Sequence, residues 1–305
     1  VLALNKKEPM FKGIAIGDVH LCEKNPICRK DDVRVTQLAK LQQVVNFCND
    51  YQCPLLIAGD MYDAWDIGFK LVNGVNNVLG GLLYSVYFVA GNHDLPYHSL
   101  EHYYNCPLSV THGELMSPHE YPIAGCSWSE TPSTVIRQAP ILLQHKMVFL
   151  TDPIKGFDGD QYNVRHLINT TGYKNYKLII TGDNHKAFAY TNEDGRIWLN
   201  TGPIVRTSVT EKLYGPSAWY FEVGDTVSVT RLPLTVDVDA VDRIEMYVEK
   251  LKSAEVSQFA GEIIKHQGLS LDFKKSVDSL LSSTEVTEPI RNAALSAIYE
   301  AEQEN

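Results

Sequence analysis

The sequence has no C-x-x-C pair among its six cysteines, which stand at 22, 28, 48, 53, 106 and 126. That spacing excludes a zinc ribbon and offers no disulfide framework. A chain of 305 residues needs neither to hold a core, so the thiols are expected to be reduced and mostly buried. No stretch reaches the roughly 18 apolar residues of a membrane span. Val1 to Lys12 lack the basic-then-apolar layout of a secretory leader, so the expectation is a cytoplasmic protein without a membrane partner. Internal repeats and low-complexity tracts are absent as well. Positive charge is in short supply: 27 Lys and Arg face 37 Asp and Glu, for a net of −10. Nucleic-acid binders usually show the opposite balance. The deficit is uneven, however. Residues 235–305 hold fourteen Asp and Glu against seven Lys and Arg, so the first 234 carry only −3. Acidity is a mild objection to DNA, not a veto.

What is present is an ordinary globular composition, 44% hydrophobic and 21% charged. In the first half, short apolar runs at Phe11–Ile16, Pro54–Ala58 and Ser85–Ala90 read as buried strands. Between the first two, apolar residues at 35, 38, 41, 44, 45 and 48 predict a helix over Arg34–Asn49, and a second helix is expected over Gly68–Tyr84. This β-α-β-α-β rhythm predicts parallel strands with helices on the sheet faces. The second half predicts short strands at Ile141–Gln144, Leu178–Thr181, Ala187–Thr191, Ile197–Asn200, Ala218–Val223 and Val227–Arg231. Turn signals at Glu193-Asp194-Gly195 and Gly224-Asp225 suggest antiparallel hairpins. The expected fold class is α/β, a two-layered β-sandwich core over residues 1–234 flanked by helices. A small helical C-terminal domain is expected over 235–305.

The chemistry lies in where Asp, His and Asn fall relative to those strands. Asp18-Val19-His20 follows the first strand, Gly59-Asp60-Met61-Tyr62-Asp63 the second, and Gly91-Asn92-His93-Asp94 the third. His145 follows Ile141–Gln144, and Gly182-Asp183-Asn184-His185 follows Leu178–Thr181. Ligand sites in α/β sheets form beyond the carboxyl ends of the strands, so five clusters converge on one rim. Glycines at 17, 59, 91 and 182 are expected to let the backbone turn sharply before them. A two-metal hydrolytic site needs such ligands around ions roughly 3.5–4 Å apart, with one carboxylate bridging. Asp60 suits the bridge. Asp18, His20 and His185 would complete one ion, and Asn92, His145 and Asp183 the other. Water or hydroxide held between the ions would be the nucleophile. His93, whose side chain diverges from that of Asn92, would protonate the leaving oxygen or stabilise phosphoryl charge, with Asp94 orienting its ring.

D-x-H, G-D-x-x-D, G-N-H-D, a strand-terminal His and G-x-x-H, in this order and spacing, resemble the calcineurin-like metallophosphoesterase superfamily over residues 11 to 232. Where that family has G-H-x-H, this chain has Asp183 in the first His position, a harder ligand that favours manganese or magnesium over zinc. Asn25-Pro26-x-x-Arg29-x-Asp31-Asp32, Asn92-His93-Asp94-Leu95-Pro96-x-His98 and Gly182-Asp183-Asn184-His185 look like a phage and bacterial group. That group is similar to the SbcD-like nuclease subunit of the double-strand-break repair complex. The run Leu199-Asn200-Thr201-Gly202-Pro203-Ile204-Val205-Arg206 resembles its N-P-G-S-x-x-R segment, with Thr201 and Pro203 as departures. The resemblance implies a DNA nuclease using two divalent ions, manganese first, with an ABC-type (SbcC-like) ATPase partner and a homodimer. A phage-encoded enzyme acting in the host cytoplasm fits the same likeness.

Other readings stay open. The same metals could serve a phosphatase or a cyclic-nucleotide phosphodiesterase, or the chain could be a non-catalytic scaffold. Arg29, His98 and Arg206 are candidate phosphate contacts. Asp63 is read as a structural loop acceptor. Tyr97, Tyr103 and Tyr104 could stack bases, although core or rim packing is the first reading.

Overall fold

The computed structural model describes residues 11–111, 114–115, 123–132, 139–151, 162–237 and 240–242. In chain order these form β1 (Phe11–Ile16), α1 (Val33–Tyr51), β2 (Leu55–Ala58), α2 (Phe69–Leu79), β3 (Val86–Val89) and β4 (Glu114–Leu115). Then come β5 (Ile123–Cys126), β6 (Ile141–His145), β7 (Val148–Phe149), β8 (Tyr162–Asn163), α3 (Val164–Leu167) and β9 (Leu178–Gly182). The last elements are β10 (Phe188–Thr191), β11 (Ile197–Asn200), β12 (Ser217–Val223) and β13 (Val227–Pro233).

Two sheets carry the fold. The first runs β13-β12-β1-β2-β3-β4, with β1 to β4 parallel and β12 and β13 antiparallel at the β1 edge. The second runs β10-β11-β9-β6-β5. Here the hairpin expectation holds only in part. β10 and β11 pair antiparallel across the Glu193-Asp194-Gly195 turn, but β5, β6, β9 and β11 are mutually parallel. The missing signal was β5, whose Ile123-Ala124-Gly125-Cys126 run is too short and too small in side chain to stand out as a strand.

Strand residues alternate faces, and here both faces are covered. From the first sheet, Ala15, Leu56, Ala58 and Val89 meet Ile141, Leu143, Leu178, Ile180 and Leu199 of the second in one buried layer. Ile14, Ile16, Leu55, Ile57 and Phe88 point the other way, onto Leu41, Val44, Val45 and Cys48 of α1 and Leu71, Val72, Val75 and Leu79 of α2. The far side of the second sheet, with Leu142, Ile179 and Trp198, packs against Val164, Ile168, Tyr173 and Tyr176. Burial on both faces is why these strands read as continuous apolar runs rather than alternating ones.

The α1 stripe differs in detail from the expected one. Its buried positions are 33, 37, 40, 41, 44, 45 and 48, while Val35 faces solvent. Asp32 caps the helix by accepting from the Arg34 amide. The buried Gln37 amide bonds both the N–H and the carbonyl of Cys22, pinning the loop that follows β1. All six cysteines are free and buried. The chain divides into two compact units, Val1–Val241 and Asp242–Asn305. The helical domain expected over 235–305 lies, from residue 243 on, outside the described residues. Among the described residues no helix is long and apolar enough to cross a membrane.

Leu56 is fully buried between the sheets, whereas Leu213 is 97% exposed. Leu56→Ala is expected to lower unfolding stability by about 2–5 kcal/mol, and Leu213→Ala by less than about 0.5 kcal/mol. Denaturant unfolding of both variants checks the assignment of the inter-sheet core.

Candidate metal centre

Parallel strands deliver β1, β2, β3, β6 and β9 to one rim, and the residues just past their ends meet there. Asp60 organises the meeting. Its Oδ1 accepts the His93 amide at 3.0 Å. Its Oδ2 is left 3.6 Å from His20 Nε2 and 3.5 Å from His145 Nε2, almost equidistant between two rings from different sheets. That arrangement requires Gly91: a Cβ there would lie 2.0 Å from Asp60 Oδ1. Gly59 is the one residue of its group that turns with positive φ (+85°), and a Cβ on it would strike His145 Nδ1 at 2.2 Å. Glycines 17, 91 and 182 therefore serve close approach rather than the sharp turns expected of them.

The imidazoles are aimed by their outer nitrogens. His145 Nδ1 sits 2.9 Å from the Ala58 carbonyl, and a carbonyl can only accept, so Nδ1 is the donor and Nε2 faces the site. There it lies 3.1 Å from Asn92 Oδ1 and 4.0 Å from Asp183 Oδ1. His185 Nδ1 is 2.9 Å from Glu211 Oε1, which points its Nε2 at His20 Nε2, 3.1 Å away. Asp18 Oδ1 accepts the Asp183 amide at 2.5 Å, and its fully buried Oδ2 has no hydrogen-bond partner. Buried carboxylate oxygens rarely stay unpaired. An orphaned carboxylate beside two converging imidazole nitrogens fits a cation.

Two ligand groups result, within 4.8 Å among themselves: Asp18, His20 and His185, and Asp18, Asp60 and His145. Asn92 and Asp183 lie beside the second. A further group, His20, Asp63 and His93, was not anticipated. Asp63 Oδ1 stands 3.3 Å from His20 Nδ1, so this residue belongs to the site and is more than a loop acceptor. The backbone is strained where the ligands sit. Among the described residues eight non-glycines have positive φ, and Asp18, His20, Asp60, Asp183, Tyr97 and His98 are six of them. Such strain tends to collect at functional sites.

Charge follows the geometry. Burial alone would lower both rings. The Asp63 carboxylate and the Asp60 charge instead push His20 up to about 9, and Asp60 and Asp183 push His145 up to about 10. Burial would raise Asp60, but His145 and His20 hold it well below the usual carboxylate range. Burial raises Asp18 and pushes Asp183 up to about 6.

Three expectations need correction. Asp94 does not orient His93. Burial pushes its carboxyl up to about 6, and it accepts from the amides of Tyr62 and Gly91, both at 2.9 Å, tying two motif loops together. The Asp63 carbonyl holds His93 Nδ1 instead, at 2.7 Å. Arg29 and Arg206 are 6% and 2% exposed and are not placed to meet a phosphate. Arg29 forks onto Asp31 and reaches the Arg206 carbonyl, while Arg206 donates to the carbonyls of Lys212 and Asp237. Together they shape the loop that presents Glu211. His98 does stand at the rim, exposed, with Nδ1 2.9 Å from the Asn92 carbonyl. Glu211 itself went unnoticed. Its Ser208-x-x-Glu211 capping box is visible in sequence, but its contact with His185 is not.

The calcineurin-like phosphoesterase family model matches residues 12–158, a span that holds Asp18, His20, Asp60, Asn92, His93 and His145. The match and this geometry support a calcineurin-like metallophosphoesterase. The family implies two divalent ions, and the carboxylate and imidazole donors present fit them. Among solved structures, a dimetal phosphatase from Danio rerio is similar at 12% identity and a TM-score of 0.50, over 74% of this chain and 97% of that one. That is a likeness of fold. A Staphylococcus aureus protein assigned as a 5′-nucleotidase, in complex with α-ketoglutarate, aligns at 12% identity and a TM-score of 0.47, over 81% of this chain and 58% of its own. Comparison with curated proteins finds no match. The candidate ligands run past the family match, since Asp183 and His185 lie beyond residue 158.

Glu211 has both oxygens engaged, Oε1 by His185 and Oε2 by the amides of Thr207 and Ser208 at 2.7 and 3.1 Å. Glu211→Ala is expected to weaken divalent-metal affinity by about 10–100-fold, with Glu211→Gln intermediate, as read by calorimetric titration. Metal loading should also release protons. Rings raised to about 9 and 10 hold protons in the metal-free protein at pH 7, and ligation needs them neutral. Raised histidines stabilise the metal-free fold fully below their unfolded value of 6.5, and that contribution fades as pH climbs through 9 to 10. The gain in melting temperature on adding metal is therefore expected to grow from pH 6.5 to pH 9, and calorimetry in buffers of different ionisation enthalpy should show net proton release.

Proposed function

We propose that this chain hydrolyses phosphodiester bonds of DNA. The observation that carries this reading is a pair of exposed imidazoles at the mouth of the site. His93 and His98 are each tied through Nδ1 to a backbone carbonyl, of Asp63 and Asn92, leaving Nε2 for substrate. A diester presents two kinds of oxygen to such a pair. In its imidazolium form His93, whose Nδ1–H is held by the Asp63 carbonyl, gives its Nε2 proton to the departing ester oxygen, and an alkoxide needs that proton to leave. His98, likewise as the imidazolium, donates its Nε2–H to a non-bridging phosphoryl oxygen and holds the phosphate in register.

Asp60 would be shared between the ions, with Asp18, His20 and His185 on one side and Asn92, His145 and Asp183 on the other. When bound, the ions supply Lewis acidity and a water activated at neutral pH. Manganese as the resident ion is supported by the hard ligand Asp183. DNA as the polymer, an ABC-type ATPase partner, a homodimer and a cytoplasmic setting belong to the same proposal and rest on the motif resemblance.

The test compares linear double-stranded DNA, single-stranded DNA, bis-p-nitrophenyl phosphate and p-nitrophenyl phosphate, with manganese. His93→Ala is expected to lower kcat on DNA by about 10²–10⁴-fold and to affect the p-nitrophenyl diester far less, because p-nitrophenolate leaves without a proton. Asp60→Ala should abolish all turnover. Hydrolysis of the monoester alone would overturn the diester reading and move the assignment to a phosphatase.

A further inference from the structure

Tyr97 is 83% exposed and Tyr104 87% exposed. An aromatic ring is a large apolar surface that folding normally removes from water. Tyr97 is kept out by a costly backbone: it and His98 both lie in the left-handed region, with φ of 55° and 54°. Bulky residues avoid that region, and no burial of the Tyr97 ring compensates for it. The His102 ring meets Tyr97 edge-on, with centroids 5.5 Å apart, and steadies it. The neighbouring His98 is fastened to the Asn92 carbonyl, so the raised ring stands one residue away from a contact to the metal-ligand loop.

We infer that Tyr97 is a stacking platform for an unpaired nucleobase next to the scissile phosphate. This rests on the phosphodiesterase reading above and narrows its substrate to DNA with exposed bases, in single strands or at frayed ends. The stretch from Asn92 to Asn105 contains no Lys or Arg; its exposed side chains are His93, Tyr97, His98, Glu101, Tyr104 and Asn105, and the one charged group among them is the Glu101 carboxylate. It cannot track a phosphate backbone by charge. A chain of net charge −10 also gains little from the counterion release that drives duplex binding. Stacking on a base face needs no positive charge, and it needs the base to be out of its own duplex stack. Tyr103, by contrast, is buried and serves the core.

The experiment is a cycle between protein and substrate. A short single-stranded oligonucleotide is cleaved intact, or with an abasic residue on either side of the scissile bond, by wild type, Tyr97→Ala and Tyr97→Trp, with melting temperatures confirming the fold. Wild type and Tyr97→Trp are expected to lose about tenfold in kcat/KM on one abasic substrate. Tyr97→Ala should show that loss already on intact DNA and no further loss on the abasic strand. As a binding readout, 2-aminopurine at the sensitive position should be quenched by wild type and not by Tyr97→Ala. If Tyr97→Ala still discriminates the abasic strand as wild type does, the platform is overturned and the nuclease reading stands. If wild type hydrolyses the p-nitrophenyl diester and no DNA, both fall together.

Discussion

The site depends on how one carboxylate is held. Asp60 spends Oδ1 on the His93 amide and keeps Oδ2 between His20 and His145. One of these rings belongs to the first sheet and the other to the second, so this oxygen is where the two layers meet chemically. The approach is possible because position 91 has no side chain. A single methyl group there would displace the carboxylate that His20 and His145 both approach.

Around that carboxylate the protein uses backbone carbonyls as its aiming devices. Ala58, Asp63 and Asn92 each hold one imidazole by Nδ1, and Glu211 holds a fourth. A ring fixed at one nitrogen offers the other in a single direction, which is what a metal or a phosphoryl oxygen requires. The arginines that resemble phosphate-binding residues do a different job. They brace the 206–212 loop from inside, so that Glu211 reaches His185 at a fixed height. Their effect on chemistry is transmitted through a histidine rather than exerted on the substrate.

The site carries an excess of negative charge in the metal-free state, and the protein meets it with protons. His20 and His145 are raised well above the ordinary histidine value by the carboxylates beside them. A divalent ion at this site would compete with protons for the same nitrogens. Strain is spread through the same loops: four of the seven candidate ligands have left-handed backbone. Those conformations persist because the strands behind them are buried on both faces and have no freedom to relax.

The gathering of these side chains at one rim was legible in the sequence, because each motif follows an apolar run and parallel strands must end on one side. The three-layer burial was legible for the same reason, in runs such as Pro54–Ala58 with no polar alternation. Four things were not. The parallel pairing of β5, β6, β9 and β11 depends on which edges meet, and short apolar runs say nothing about partners. The true roles of Asp94, Arg29 and Arg206 depend on burial, since a loop arginine reads alike whether it faces a phosphate or a carbonyl. Glu211 and Asp63 enter only because folding brings residues 26 and 43 positions apart into contact with His185 and His20. The exposure of Tyr97 could not be read either, because an aromatic residue in a loop is as often packed as presented. Sequence by itself determined which chemical groups are available and that they gather at one rim. Tertiary structure alone decided which atom of each group faces inward, because that choice is made by hydrogen bonds between segments far apart in the chain.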